Sequence, residues 1–334
     1  MKNIIDISII IPVFNVEPYL VKCFDSVINQ THKNIEVIII YDNSFDNSLK
    51  ICKQYIDSNG FILIYGENKG AGAARNYGFK LSKGKFICYL DSDDWIEPTL
   101  CSEVLSVIDA TDADFVNYGF DFRSVNNNII NIKNKFSKSV MQGEEIFRNA
   151  MLDNDIYSVP WNKMYRKSFL LENELFFPEV KEWEDVLYSR RVSYYSNKTI
   201  FISNIYYHAL VRIDSRSRDI SARFLSNGFL LLDMEFNFIQ SIPSGQRFFN
   251  LYKAHFVKHI SFFILKAAFQ TESIGEFKKC ITLINQSNFN EYSNESEVKA
   301  LLSIKNRLLL LFCKYPNFLR LISSKFKLIG IVPY

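Results

Sequence analysis

The residues of this 334-residue chain that could do chemistry fall into a few short stretches. Asp91-Ser92-Asp93-Asp94 follows the apolar run Phe86-Ile87-Cys88-Tyr89-Leu90. Carboxylates this crowded repel one another unless a cation or strong donors offset them. Hard oxygen ligands suit Mg²⁺ or Mn²⁺ and leave positions open for phosphate oxygens. The same residues serve equally as a cap for the helix that starts near Pro98. Gly70-Ala71-Gly72-Ala73-Ala74-Arg75-Asn76 opens a helix after a strand, where free amides and the positive dipole end favour an anion. It is neither Gly-x-Gly-x-x-Gly, because position 75 is Arg, nor a phosphate loop ending in Gly-Lys-Ser/Thr. Asp42 ends the second apolar run and could accept a hydrogen bond from a base N–H or a ribose hydroxyl, although Asp42-Asn43-Ser44 reads as readily as a turn. Glu184-Asp185 opens a later helix, either as a general base kept ionised by the dipole or as a plain helix start. His208, Arg212, Ser215, Arg216 and Arg218 follow the last strand, as a loop that closes over a diphosphate or as a solvated basic loop. His255 and His259 stand at i, i+4, but with no third ligand in view they read as helix-face residues.

The elements between these stretches alternate. Ile7 to Val13, Ile35 to Tyr41, Phe61 to Tyr65, Lys85 to Leu90 and Asp114 to Phe120 read as short apolar strands. Helical faces fill the gaps at Glu17 to Gln30, Asp46 to Ser58, Ala71 to Leu81 and Pro98 to Ile108. The alternation predicts right-handed crossovers and a mostly parallel sheet. Such a sheet binds ligands beyond the carboxyl ends of its strands, where Phe14-Asn15, Asp42, Lys69 to Gly72 and Asp91 to Asp94 gather. Asn126-Asn127-Asn128 reads as a hairpin turn. Residues 142–215 mix helix and strand, and the chain is helical from about 220 onward.

Composition narrows the classes. Hydrophobic residues are 48% and charged residues 22%, which excludes wholesale disorder. A net charge of +3 makes no case for a nucleic-acid binder. The start lacks the pattern of a signal peptide, and no run of apolar residues is long enough to predict a spanning helix. The 6 cysteines are scattered without Cys-x-x-Cys spacing, so free buried thiols in a reducing cytoplasm are expected.

Taken together, Ser8 to Asn15, Asp42 to Asp46, Asn68 to Asn76 and Gly84 to Trp95, in this order and spacing, resemble the family 2 glycosyltransferases of the GT-A fold. Trp161-Asn162-Lys163-Met164-Tyr165-Arg166 followed by Glu184-Asp185 resembles the bacterial surface-polysaccharide branch. The resemblance implies an α/β fold in which a Rossmann-like nucleotide-binding half (1–120) is fused to an acceptor half (121–218). A helical C-terminal region (219–334) would follow. It implies an inverting, metal-dependent transferase that moves a hexose or N-acetylhexosamine from a UDP-sugar to a growing surface glycan, with Mn²⁺ or Mg²⁺. Asp93 and Asp91 would hold the metal. Pro12, Phe14, Asn15, Asp42, Lys69, Gly72, Arg75, Asp91, Ser92 and Arg212 would face the donor, with Arg75 near Asp42 at the base. Asp185 would deprotonate the acceptor with Glu184 beside it, and Trp161 and Asn162 would meet the acceptor sugar. The chain departs from the family pattern in two places. At the second strand end Tyr41 stands where an acid is usual and Asn43 for a glycine, and the closing-loop aromatic-Arg element reads Tyr206-Tyr207-His208-Ala209-Leu210-Val211-Arg212.

Residues 301–334 combine Leu and Phe with Lys305, Arg307, Lys314, Arg320, Lys325 and Lys327 and contain no acid. That suits an anionic membrane surface, or else a helix packed on the protein with solvated lysines. The acceptor would then be a lipid-linked glycan at the cytoplasmic face of the inner membrane, and the same helices could join two copies. A nicotinamide oxidoreductase is disfavoured by the acidic strand ends. A non-catalytic scaffold docking through its tail is the alternative, with Tyr41 and Asn43 its best support.

Overall fold

The computed structural model describes residues 5–67, 69–180, 183–212, 222–271 and 273–321. The chain divides into two compact units, residues 1–213 and 214–334.

In the first unit the elements run β1 (Ile7–Val13), α1 (Glu17–Ile28), β2 (Ile35–Tyr41), α2 (Ser48–Asn59), β3 (Ile62–Tyr65), α3 (Ala71–Leu81), β4 (Phe86–Tyr89), β5 (Trp95–Ile96), α4 (Leu100–Asp109) and β6 (Phe115–Arg123). They continue as β7 (Ile129–Lys133), β8 (Val140–Gln142), α5 (Glu144–Leu152), β9 (Lys163–Arg166), α6 (Lys167–Glu172), α7 (Glu184–Tyr195) and β10 (Lys198–Leu210). The sheet order is β3-β2-β1-β4-β9-β6-β10-β5, with β7 on β6 and β8 on β10.

Apolar runs buried on both faces make β1, β2 and β4, β-branched in the first two and partly aromatic in β4. Along β1 the alternation is strict. Ile7, Ile9, Ile11 and Val13 join Leu20, Phe24, Leu100 and Val104 in one core. Ile10 joins Phe79, Ile87, Phe115 and Tyr188 in the core on the opposite face. Helices therefore cover both sides, and every strand of this half ends at one rim. The order turns at β1, which has β2 on one side and β4 on the other, both parallel.

The expected mostly parallel sheet stops at β4. β9 enters between β4 and β6, antiparallel to both. It arrives from the loop after α5 rather than from a helical crossover that would force a parallel entry. β5 and β8 add antiparallel pairings to β10. The predicted turn at Asn126 to Asn128 does join the antiparallel pair β6 and β7, with Asn127 left-handed at φ 62°.

The second unit is helical: α8 (Ala222–Ser241), α9 (Phe249–Gln270), α10 (Ile274–Asn285), α11 (Phe289–Tyr292), α12 (Ser296–Leu301) and α13 (Ile304–Cys313). Ser273 caps α10 by accepting from the Glu276 N–H, a serine three residues ahead of a glutamate. His255 is buried on α9, its Nδ1 2.7 Å from Glu235 Oε2, and it packs against His259. No helix among the described residues is long and apolar enough to cross a membrane. All six thiols are free and buried.

Candidate active site

The site gathers at the carboxyl rim of β1, β2 and β4. Beyond β1 the chain turns at Asn15, left-handed at φ 51°, and Asn15 accepts from the Phe45 N–H while its own N–H donates to Ser44 Oγ at 3.0 Å. The β2 exit mirrors it, with Asn43 left-handed at φ 54° and the Tyr41 hydroxyl donating to the Ser44 carbonyl. Tyr41 thus braces the turn from below, and Asn43 supplies the conformation for which glycine is the easier choice. Phe14 packs edge-on against Phe45.

Asp42 is 6% exposed and lines a cavity of about 550 Å³ together with Gly66, Lys69, Asn76, Lys80 and Pro178. Gly66 is needed here because a Cβ at that position would lie 2.5 Å from Asp42 Oδ1. Lys69 stands exposed at the cavity, paired with Glu67.

Next to this cavity runs a seam of charges. Arg75, on the first turns of α3, is buried. Its Nη2 donates to Asp91 Oδ1 at 2.7 Å and its Nη1 to Glu184 Oε1 at 3.0 Å. One guanidinium therefore ties the end of β4 to the start of α7. Burial works against its charge, but Asp91 and Glu184 more than offset that and hold it firmly cationic. Gly72 permits the approach, since a Cβ there would stand 2.8 Å from Glu184 Cγ. α7 itself begins after Trp183, left-handed at φ 66°. Burial, followed by the neighbouring Glu184, pushes the Asp185 carboxyl up to about 7. Burial also raises Glu184 against the pull of Arg75.

The remaining acids of the β4 exit have separate partners. Asp93 Oδ2 meets Arg212 Nε at 3.0 Å, and Arg212 lies over the ring of Tyr19. Asp94 is buried, accepting from the Tyr207 hydroxyl at 2.6 Å and from the Leu210 N–H at 2.7 Å. Burial and the repulsion of Asp93 and Asp91 push its carboxyl well above the carboxylate range. The Tyr207 hydroxyl also accepts from the Asp91 N–H.

The comparisons with known proteins fit this arrangement. A family model described as "Glycosyl transferase family 2" matches residues 8–172. EpsH of Bacillus subtilis (strain 168), named as a glycosyltransferase, is 32% identical over 240 residues, which is 70% of this chain and 69% of EpsH. The chain belongs to glycosyltransferase family 2. The minor teichoic acid biosynthesis protein GgaB of the same organism is 29% identical over 76% of this chain, and the match spans 28% of GgaB. The crystal structure of S. aureus TarS 1-349 in complex with UDP-GlcNAc superposes with a TM-score of 0.69 at 22% identity, over 96% of this chain and 91% of that one. The fold is therefore GT-A, an α/β sheet with a helical C-terminal region.

Seen as a family 2 transferase, the chain brings many of the expected residues to one rim and buries others. Arg75 joins Asp91 to Glu184. Trp161 is 7% exposed and stacks on Tyr207 at 4.3 Å, so that face of the indole is closed to an acceptor sugar. Asn162 is fully buried, donating to the Tyr118 carbonyl and accepting from Lys163 Nζ. Both residues precede β9, whose antiparallel entry carries them into the interior. Ser92 is buried and Pro12 half-buried. Asn68, Ser215, Arg216 and Arg218 lie outside the described residues.

Two contributors escaped the motif reading. Gly66 was one. The other is Lys163, buried, with Nζ donating to the carbonyls of Tyr157 and Val159 and to Asn162 Oδ1 at 2.7–2.8 Å. Burial pulls its amine down to about 7, while three oxygen acceptors match the three N–H bonds of the ammonium form. A lysine inside Val-Pro-Trp-Asn-Lys-Met-Tyr was the available signal.

The donor set fits a hard divalent cation. Asp91 and Asp93 are partly exposed carboxylates at one turn. Asp94 beside them is pushed above the carboxylate range first by burial and then by the repulsion of Asp93 and Asp91, and carboxylate oxygens are the ligands such a cation prefers.

Proposed function

We propose that this chain transfers a hexose or N-acetylhexosamine from a UDP-sugar to a hydroxyl of a growing bacterial surface glycan, with inversion at the anomeric carbon. One observation carries the reading: Arg75 joins the acidic turn after β4 to the carboxylate pair at the start of α7, with Asp185 raised to about 7. Asp42 and the cavity beneath it would take the uracil and ribose. Asp91 and Asp93 would hold Mn²⁺ or Mg²⁺, which supplies charge neutralisation for the departing diphosphate. Arg212, already at Asp93, stands where it can join them.

Asp185 then accepts the acceptor's hydroxyl proton as that oxygen attacks the anomeric carbon. The bond from that carbon to the diphosphate oxygen breaks, and UDP leaves with the bonding pair. A carboxylate near 7 is matched to this task at neutral pH. A single displacement inverts the centre, so an α-linked donor gives a β-linked product and no second nucleophile is needed. The acceptor would be a lipid-linked glycan met at the cytoplasmic face of the inner membrane. The relationship to GgaB, a teichoic acid biosynthesis protein, supports a surface polymer.

The test is release of UDP from a panel of UDP-sugars with Mn²⁺, with and without EDTA, alongside calorimetric UDP binding. One donor should turn over, and EDTA should suppress it. Saturable UDP binding without turnover of any donor would favour the scaffold alternative, and absence of both would end the nucleotide-sugar reading.

A further inference from the structure

α13 is apolar on two sides. Its inner side is used within the helical unit, where Leu310 and Cys313 are buried and Cys313 Sγ lies 3.4 Å from the Ser261 carbonyl on α9. In the helical residues 316–321 that follow, Leu319 is buried and Arg320 donates to the carbonyls of Ala268 and Thr271 at 2.8 and 2.9 Å. These ties decide which side faces outward. The outward side carries Ile304, Leu308, Leu311, Phe312, Phe318 and Leu321, each between 53% and 77% exposed. Helical spacing keeps Ile304, Leu308, Leu311 and Phe312 on one stripe of α13; after the break at Lys314-Tyr315, Phe318 and Leu321 share a face of the next turns, and Tyr315 between them is 67% exposed. Lys305, Arg307 and Lys314 are exposed along the stripe, and no acid occurs between 301 and 321.

An exposed apolar stripe of this kind marks a surface that is covered in use. Charge selects the cover. In a two-fold pairing of this stretch the cations would meet no acid, because none occurs between 301 and 321. Anionic headgroups meet them with the opposite sign. We propose that α13 and residues 316–321 lie on an anionic lipid surface, the apolar stripe entering the headgroup–acyl boundary and Lys305, Arg307 and Lys314 meeting lipid phosphates. The inference shares with the proposed function only the idea of a lipid-linked acceptor. Vesicle binding is measured without donor or acceptor, so either can fail while the other stands.

The experiment is flotation of the full chain with phosphatidylcholine vesicles, with and without phosphatidylglycerol, at low and high salt. Two variants change exposed side chains only: Leu308→Ser with Leu311→Ser and Phe312→Ser, and Lys305→Glu with Lys314→Glu. Their thermal melting should match the parent's. The parent should float only with phosphatidylglycerol present and sink in high salt. The charge-reversal variant should lose at least about tenfold in partitioning, at roughly fivefold per basic residue removed. The serine variant should stay at the bottom yet release UDP as the parent does. A parent that does not float overturns the proposal, as does a serine variant that floats equally. A parent that is dimeric by light scattering, made monomeric by the serine changes, and indifferent to vesicles would assign the stripe to a second copy instead.

Discussion

The two sides of the β4–β9 boundary are built differently. On the β3-β2-β1-β4 side every strand runs the same way, so whatever follows a strand lands at the rim: Asp42 after β2, Asp91 after β4. On the β9-β6-β10 side directions mix and no such rule operates. Asp185 reaches the site at a helix start, and its surroundings are set by side chains that reach across: Lys163 gripping the 157–162 loop, Tyr207 stretching from β10 to Asp94. On one side the candidate ligand-facing groups follow from strand direction. On the other, position depends on buried polar contacts between segments distant in sequence.

Substitutions should separate the two sides. Asp185→Asn should lower transfer by about a thousandfold, within the range one general base supplies, while calorimetric UDP affinity changes little. Equal loss of both would place Asp185 on the donor side and blur the boundary. Lys163→Met should cost roughly 2 kcal/mol of stability, because Asn162 Oδ1 loses its donor in the interior and two partly buried carbonyls lose theirs. Chemical denaturation would read this, and a fully stable variant would show that the loop needs no grip. Below pH of about 7 the Asp185 carboxyl takes up a proton and can no longer accept one. kcat/KM should therefore fall about tenfold per unit on the acid side and level off above; a limb near pH 4 would mean the base is elsewhere. Gly66→Ala should raise the donor KM severalfold by displacing Asp42, with kcat nearly kept. An unchanged KM would remove Asp42 from the nucleoside.

The same division explains what could be read beforehand. Asp42, Asp91 to Asp94 and the glycines before Arg75 follow apolar runs and were legible, as were the helices around β1 and the helical second unit. Trp161 and Asn162 show the limit of a motif, which names residues near a site and not their burial: one is stacked on Tyr207 and the other accepts from Lys163. The two-residue strand β5 and the three-residue β8 are too short to leave a period. The partners of Arg75 lie 16 and 109 residues away, and spacing alone does not disclose a pairing of that kind.

With Asp91 at the donor and Asp185 at the acceptor, as proposed, a guanidinium divided between Asp91 and Glu184 couples the two substrates. A donor that draws Asp91 away loosens one of the two grips of Arg75 and alters the field in which Asp185 holds its proton. Whatever factor the donor then imposes on acceptor affinity, linkage requires the acceptor to impose on donor affinity.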